Sequence, residues 1–141
     1  MIPEKVYPNT NLGKILVVED NDLCFKVISH ILKYRGFTVY RSVTGLDVCD
    51  LIWENRPDLI LMDIQLPEVL GTDLIRCIKA TDDIRSIPIV ATTAYAIDEE
   101  RIRESGCDAF LAKPLDLNVL LAVVNRLLSI HPMKAGKSRL P

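Results

Sequence analysis

The chain contains 141 residues, of which 49% are hydrophobic and 26% are charged, and its formal net charge is −2. This length suits one domain that buries about two thirds of its unfolded surface, and the composition excludes a disordered chain. The near-neutral charge excludes a generally basic nucleic-acid binder, and the longest apolar run, 119–124, is too short for insertion into a membrane.

The two ends of the chain differ from the region between them. Residues 1–13 carry two prolines and lack the apolar stretch of a secretory signal, while 131–141 combine proline, glycine and basic residues. We expect a flexible leader over 1–13, a folded domain over 14–130 and a flexible tail over 131–141. A cytoplasmic location is expected, where the four cysteines, which lack zinc-ligand spacing, would be reduced, half-buried hydrophobes.

Short apolar or β-branched runs recur along the folded region and predict strands. They lie at 15–18, 38–43, 59–62, 87–91 and 109–112. Unbroken runs of this length are typical of strands that are buried on both faces of a parallel sheet.

Longer amphipathic stretches separate these runs and predict helices at 22–35, 46–55, 72–80, 98–105 and 117–128. Strands that alternate with helices favour right-handed β-α-β crossovers. The sequence therefore predicts an α/β fold with a doubly wound, open parallel sheet.

Polar residues stand at the ends of four of the predicted strands. Glu19 and Asp20 follow the first run, Asp63 follows the third, Thr93 lies beyond the fourth and Lys113 follows the fifth. In such sheets, ligands bind beyond the carboxyl ends of the strands. We therefore expect these side chains to share one cleft.

Each of these residues alone has an ordinary structural explanation. Asp20 or Asp22 could cap the first helix. Lys113 alone would be a surface lysine, and Thr93 alone a β-branched strand end. Three carboxylates and a lysine in one cleft, however, would repel and desolvate one another without compensation.

A hard divalent cation would supply that compensation. Mg²⁺, with Mn²⁺ as an alternative ion, prefers oxygen ligands such as the carboxylates of Glu19, Asp20 and Asp63. Lys113 would lie on the far side of Asp63 as a mobile charge. A carboxylate between a metal ion and an ammonium group can attack phosphorus and form an aspartyl phosphate, while the Thr93 hydroxyl binds a phosphoryl oxygen.

The chain resembles the receiver domain of bacterial two-component response regulators at four segments: VVEDN at 17–21, LILMDIQLP at 59–67, ATTA at 91–94 and FLAKP at 110–114. The resemblance covers about 14–129, and segments 59–68 and 98–107 are similar to DivK-type single-domain regulators. It implies a flavodoxin-like (CheY-like) fold with five parallel strands in the order 2-1-3-4-5.

The resemblance also assigns roles within the predicted cleft. Asp63 would be the phosphoacceptor. Asp20, Asp63 and the backbone carbonyl of Gln65 would bind Mg²⁺ directly, while Glu19 would act through water. Lys113 would pair with Asp63 and then with the phosphoryl group.

Further residues would form a switch. Thr93 and the backbone of Ala94 would move towards the phosphoryl group. Phe110 would change rotamer with Thr93 or serve as a core residue. Tyr95 would overhang the phosphoryl group and shield it from water, and a cis peptide bond would precede Pro114.

The partners that the resemblance implies are proteins. A sensor histidine kinase or a histidine phosphotransfer protein would donate the phosphoryl group, and a downstream protein target would bind the surface of the fourth helix, fifth strand and fifth helix. Segment 94–106 is slightly shorter than usual in the family, so we expect this partner surface to differ. Neither direct binding to nucleic acid nor membrane insertion is expected.

Two other interpretations stay open. The chain could be a receiver from a larger regulator or a hybrid histidine kinase. A phosphohydrolase with an aspartate nucleophile would also use Asp63, but such enzymes carry a second aspartate, a general acid, two residues later, where this chain has Gln65. A receiver fold that is never phosphorylated is disfavoured by the complete residue set.

Overall fold

Five parallel strands form one sheet in the computed structural model, which describes residues 12–94 and 99–130. The strands are β1 (Lys14–Val18), β2 (Thr38–Ser42), β3 (Leu59–Asp63), β4 (Ile89–Thr93) and β5 (Ala109–Ala112). They lie in the order β2-β1-β3-β4-β5, and every neighbouring pair is parallel. The expected α/β fold and strand order are confirmed.

Five helices cover the two faces of this sheet: α1 (Asp22–Tyr34), α2 (Val48–Asn55), α3 (Gly71–Lys79), α4 (Glu99–Glu104) and α5 (Leu117–Ile130). Ile15 and Val17 of β1 pack with residues of α1 and α5, whereas Leu16 and Val18 pack with residues of α2, α3 and α4. Because both faces are buried, β1 is apolar at every position after Lys14.

The fourth strand lies two residues further along the chain than predicted, at Ile89–Thr93. Pro88 lacks an amide hydrogen, and the Ile87 amide donates to the Ile84 carbonyl oxygen in the preceding turn. At the other end, Thr92 pairs with Asp63 and is buried. Buried hydroxyl groups therefore extend the strand past its apolar run.

The second helix begins at Val48, two residues later than predicted. The preceding residues form a turn in which the Gly45 amide donates to Ser42 Oγ at 3.0 Å. Gly45 has a φ of +88°, a conformation that favours glycine. Leu46, predicted to open the helix, instead lies in this turn and is 64% exposed.

The four cysteines are free, but only two of them are half-buried as expected. Cys24 and Cys107 are half-buried, whereas Cys49 and Cys77 are exposed. The exposed pair lies on α2 and α3, and neither cysteine belongs to the core that these helices form with the sheet.

Some expectations concern residues outside the described part of the chain. The tail at 131–141, most of the leader at 1–13, and Tyr95 are among them. Among residues 12–94 and 99–130, no helix has both the length and the apolar character needed to cross a membrane.

Candidate functional site

The carboxyl edge of the sheet brings together three acidic side chains from two neighbouring strands. Carboxylate oxygens of Glu19, Asp20 and Asp63 all lie within 4.8 Å of one another. Glu19 and Asp63 are only 2% and 3% exposed, whereas Asp20 is exposed. The pairing of β1 with β3 produces this cluster, because the ends of adjacent parallel strands meet at one edge.

Lys113 follows β5 and reaches across the cleft to two of these acids. Its Nζ donates to Glu19 Oε1 at 2.7 Å and to Asp63 Oδ2 at 3.0 Å. Burial acts to lower the pKa of Lys113, but the hydrogen bonds and charges of Glu19 and Asp63 outweigh it and raise the pKa above its ordinary value. Lys113 is therefore an ammonium group that bridges the carboxylates of Glu19 and Asp63.

Asp63 is the last residue of β3, and both of its carboxylate oxygens have partners. Oδ2 accepts from Lys113, and Oδ1 accepts from the backbone amide of Gln65 at 2.8 Å. Between these two residues, the backbone amide of Ile64 donates to the Thr92 carbonyl oxygen at 3.0 Å. These bonds fix the direction of the Asp63 side chain at the edge of the sheet.

The loop after Asp63 returns so closely that only glycine fits where α3 begins. A Cβ atom on Gly71 would lie 2.3 Å from Ile64 Cα and 2.6 Å from the Asp63 carbonyl oxygen. Both contacts are with backbone atoms, so the loop itself would have to move. Gly71 therefore sets the path of the chain that follows Asp63.

We expect Gly71→Ala to destabilise the fold by about 2–3 kcal/mol, because it overpacks backbone against backbone. It should also shift the amide resonances of Ile64 and Gln65. Gly106→Ala is the control: Gly106 has a φ of +97°, so alanine there costs about 1–2 kcal/mol of strain without moving those two resonances. Denaturant unfolding and amide chemical shifts measure both effects, and an unmoved loop in Gly71→Ala would contradict the argument.

Asn21 caps α1, so the alternative that Asp20 or Asp22 caps it is wrong. Asn21 Oδ1 accepts from the Cys24 amide at 2.8 Å, and the Asn21 amide donates to Glu19 Oε2 at 3.1 Å. An asparagine cap needs no carboxylate. Asp20 is thereby left at the mouth of the cleft, where its charge faces those of Glu19 and Asp63.

Arg41 of β2 clamps the acidic loop, a contact that the sequence reasoning missed. Its Nε and Nη2 donate to the Glu19 carbonyl oxygen at 3.1 and 3.0 Å. Nη2 also lies 2.9 Å from Asp22 Oδ1, and the guanidinium stacks 4.5 Å from the centre of the Phe25 ring. The sequence offered one signal for this contact. Arg41 lies near the carboxyl end of β2, and β2 is the neighbour of β1, which leads to Glu19.

Of the predicted switch residues that the structure describes, Thr93 ends β4, Ala94 follows it and Phe110 lies on β5. Thr93 is buried, and its carbonyl oxygen accepts from the Lys113 amide at 2.7 Å. Ala94 is exposed, and its amide donates to Gln65 Oε1 at 2.7 Å. Phe110 is half-buried against the core, with the Arg103 guanidinium 5.2 Å from its ring centre. A cis bond joins Lys113 to Pro114.

An apolar groove of about 410 Å³, here called the α1 groove, adjoins the acidic cleft. Leu23 and Val27 of α1 form one wall and are 72% and 46% exposed, and Lys113 lies on the opposite side. Cys24 connects groove and cleft. Burial, reinforced by the charge of Glu19, raises the pKa of Cys24 to about 11, so its thiol stays protonated at neutral pH.

The acidic cluster has the donor chemistry of a magnesium site. Three carboxylates converge within 4.8 Å, and hard oxygen donors are what Mg²⁺ prefers. Asp20 is exposed at the opening, so an ion could keep water ligands on that side. Glu19 and Asp63 each already accept hydrogen bonds from Lys113 and from one backbone amide. Asp20, which is exposed at the opening, is therefore the best placed donor.

Comparisons with known proteins point to one family. The pattern of the response regulator receiver domain matches residues 15–125. The chain is 46% identical over 105 residues to the polar-differentiation response regulator DivK of Brucella anthropi, which covers 73% of this chain and 85% of that protein. It is 44% identical, over the same shares, to the protein of that name from Brucella ovis.

Solved structures agree with the sequence relatives. The receiver domain of a signal transduction histidine kinase from Syntrophus aciditrophicus superposes with a TM-score of 0.81 and 32% identity, over 92% of this chain and 99% of that one. The receiver domain of a sensor histidine kinase from Pseudomonas aeruginosa, which holds a magnesium ion in its active site cleft, gives a TM-score of 0.76 and 34% identity over 83% and 98%.

Proposed function

This chain belongs to the response regulator receiver domain family, and we propose that it acts by accepting a phosphoryl group on Asp63. Its role is that of a DivK-like receiver in two-component signalling. The observation that carries the assignment of Asp63 is its position: a buried carboxylate at a strand end, bonded to Lys113 and within 4.8 Å of two further acids.

The proposed reaction moves phosphorus from nitrogen to oxygen. Receivers of this family take the group from a histidine kinase or a histidine phosphotransfer protein. An Asp63 carboxylate oxygen forms a bond to phosphorus as the phosphorus–nitrogen bond of the donor breaks, and the electron pair stays on the imidazole. The Lys113 ammonium then shifts from the carboxylate to a phosphoryl oxygen, and the Thr93 hydroxyl donates to another.

Glu19, Asp20 and Asp63, with the backbone carbonyl of Gln65, are the residues we propose to hold Mg²⁺. When bound, the ion would neutralise the acids and offset the charge of the phosphoryl group. Support comes from the converging carboxylates and from the related kinase receiver that holds magnesium in its cleft.

We further propose that phosphorylation alters protein contacts through α4, β5 and α5. Thr93 is the last residue of β4, Ala94 follows it, and α4 is the next helix along the chain, so their movement would be passed to that helix. Phe110 and Arg103 couple β5 to α4 through their ring contact. The expected difference in this partner surface stays a prediction.

The phosphohydrolase alternative is disfavoured by the residue at the general-acid position. Gln65 stands there, and its amide oxygen accepts from the Ala94 amide. A carboxamide cannot donate a proton to a leaving group as an acid would. The origin of the chain, as a stand-alone regulator or as part of a larger one, is compatible with either set of relatives.

Incubation with acetyl phosphate and Mg²⁺ tests the proposed function. We expect mass spectrometry to detect one phosphoryl group per chain, stable in acid and labile in base, and to map it to Asp63. A hydrolase would instead turn over many equivalents of acetyl phosphate without accumulating the adduct. Absence of any adduct under conditions that label another receiver would refute the proposal.

The histidine-bearing donor is proposed to dock on the α1 groove. A phosphohistidine must come within bonding distance of Asp63, and the exposed Leu23 and Val27 lie beside the opening of that cleft. Lys113 lines the groove and also contacts Asp63, so a protein bound there would reach the reacting oxygen. A helix with an apolar stripe is the partner element that fits such a face.

We expect Leu23→Glu to slow phosphotransfer from a histidine phosphotransfer protein at least tenfold, since burial of a leucine contributes about 1.5–3 kcal/mol. Labelling by acetyl phosphate should stay within about twofold of wild type, because that donor needs no docking surface. Leu46→Glu is the matched control, as Leu46 is also exposed but lies after β2. If Leu23→Glu slowed phosphorylation by both donors equally, the docking proposal would be contradicted.

A further inference from the structure

The side chain of Gln65 joins the loop after β3 to the end of β4. Its Oε1 accepts from the Ala94 amide at 2.7 Å, while its own backbone amide donates to Asp63 Oδ1 at 2.8 Å. Gln65 also forms an antiparallel bridge with Leu70, which holds its backbone in place. One residue thus contacts both the proposed phosphoacceptor and the backbone that follows Thr93.

The Ala94 amide has a single hydrogen, so it can make only one strong hydrogen bond. In the structure described here, that bond goes to Gln65. The proposed function requires Thr93 and the Ala94 backbone to approach a phosphoryl group on Asp63. A phosphoryl oxygen would therefore have to replace Gln65 Oε1 as the acceptor.

We propose that Gln65 is a latch: its side-chain carbonyl holds the Ala94 amide in the unphosphorylated arrangement and must release it when the switch closes on the phosphoryl group. The proposal rests on the proposed function and adds a regulatory role for a side chain within the same site. The latch opposes phosphorylation-driven switching by the free energy of one hydrogen bond, and so sets how readily the site closes.

The released side chain has a place to go. Gln65 lines a cavity of about 340 Å³ between its own loop and α4, whose Arg101 and Ile102 form part of the wall. Because Gln65 itself lines this cavity, its volume is available to the carboxamide once the bond to Ala94 is released. Release of the latch would then change the surroundings of α4, which belongs to the proposed partner surface.

Two variants at position 65 separate the acceptor oxygen from the bulk of the side chain. Gln65→Met keeps the length but removes the acceptor, and Gln65→Glu keeps an acceptor but adds a negative charge. Neither changes the backbone carbonyl assigned to the metal. Each variant and the wild type are titrated with beryllofluoride, a phosphoryl mimic, in the presence of Mg²⁺, while the Ala94 amide resonance is followed by NMR.

We expect Gln65→Met to bind beryllofluoride roughly two- to tenfold more tightly than wild type, the range expected for one lost hydrogen bond in the competing state. Without the mimic, its Ala94 amide proton should move upfield, whereas Gln65→Glu should retain the wild-type shift and bind the mimic more weakly. If the Ala94 amide shift is lost in Gln65→Met but retained in Gln65→Glu, the acceptor oxygen holds Ala94. If side-chain packing alone held it, the two variants would not differ in this way.

Equal midpoints for wild type and Gln65→Met, or an Ala94 resonance that does not move, would overturn the latch while leaving Asp63 as the phosphoacceptor. Failure of wild type to bind beryllofluoride, or binding that survives in Asp63→Asn, would overturn the proposed function and the latch with it. The two failures therefore have different signatures.

Discussion

Asp63→Asn is expected to abolish phosphorylation, both by acetyl phosphate and by a histidine-bearing donor, while the fold stays intact. The carboxamide oxygen is a far weaker nucleophile than a carboxylate, so no acyl phosphate forms. Asparagine still accepts from the Gln65 amide, a bond that measures 2.8 Å in wild type. Since the variant also removes one of three crowded carboxylates, we expect the free energy of unfolding to change by no more than about 1 kcal/mol.

The control for this variant is Asp58→Asn. Asp58 is also a buried aspartate, but it lies before β3, at the opposite edge of the sheet, where it accepts from the Lys14 amide at 2.8 Å. It should retain full labelling. A label in Asp63→Asn that is stable in acid and labile in base would place the phosphoryl group on another carboxylate and refute the assignment.

Lys113→Met is expected to be the most destabilising change in the cleft when magnesium is absent. Glu19 and Asp63 are nearly fully buried, and Lys113 is the cation that bridges them. Its removal leaves two buried carboxylates facing each other, which we expect to cost about 3 kcal/mol and to lower Tm by roughly 10 °C. Acetyl phosphate labelling should fall at least tenfold, because the phosphoryl group loses its ammonium partner.

Added Mg²⁺ should raise the Tm of Lys113→Met by more than it raises that of wild type, since the ion would then be the main counter-charge to the acids. Lys79→Met is the matched control: Lys79 pairs with Asp108 at 3.0 Å, at the other edge of the sheet. It should lose stability with no change in the response to Mg²⁺. An identical response in all three proteins would argue against a metal site at the acidic cluster.

The fold was predictable because the sequence repeats one simple physical pattern. A strand such as β3, buried at every residue, needs an unbroken apolar run, and the amphipathic stretches between runs supply helices for both faces. The predicted position of β4 was wrong because the apolar run ends before Thr92 and Thr93. These two polar residues are nevertheless buried and continue the strand. The predicted start of α2 was wrong because Leu46 is apolar yet lies in an exposed turn.

The candidate cleft was predictable for a topological reason. Parallel strands present their carboxyl ends at one edge, so the acids after β1, the acid at the end of β3 and the lysine after β5 had to approach one another. The individual contacts were not predictable in the same way. The bond between Lys113 and Glu19 joins residues 94 positions apart, and the clamp of Arg41 on the Glu19 carbonyl depends on one side-chain conformation among many.

The sequence by itself determined three features: the succession of strands and helices along the chain, the burial of the sheet on both faces, and the types of side chain gathered at its carboxyl edge. These features were predictable because periodicity and chain order are local properties. The tertiary structure alone decided which oxygen Lys113 bonds, that Asn21 rather than an aspartate caps α1, and that Gln65 reaches Ala94. Such contacts depend on how loops from distant parts of the chain approach within a few ångströms, where competing donors and acceptors differ by only about 1 kcal/mol.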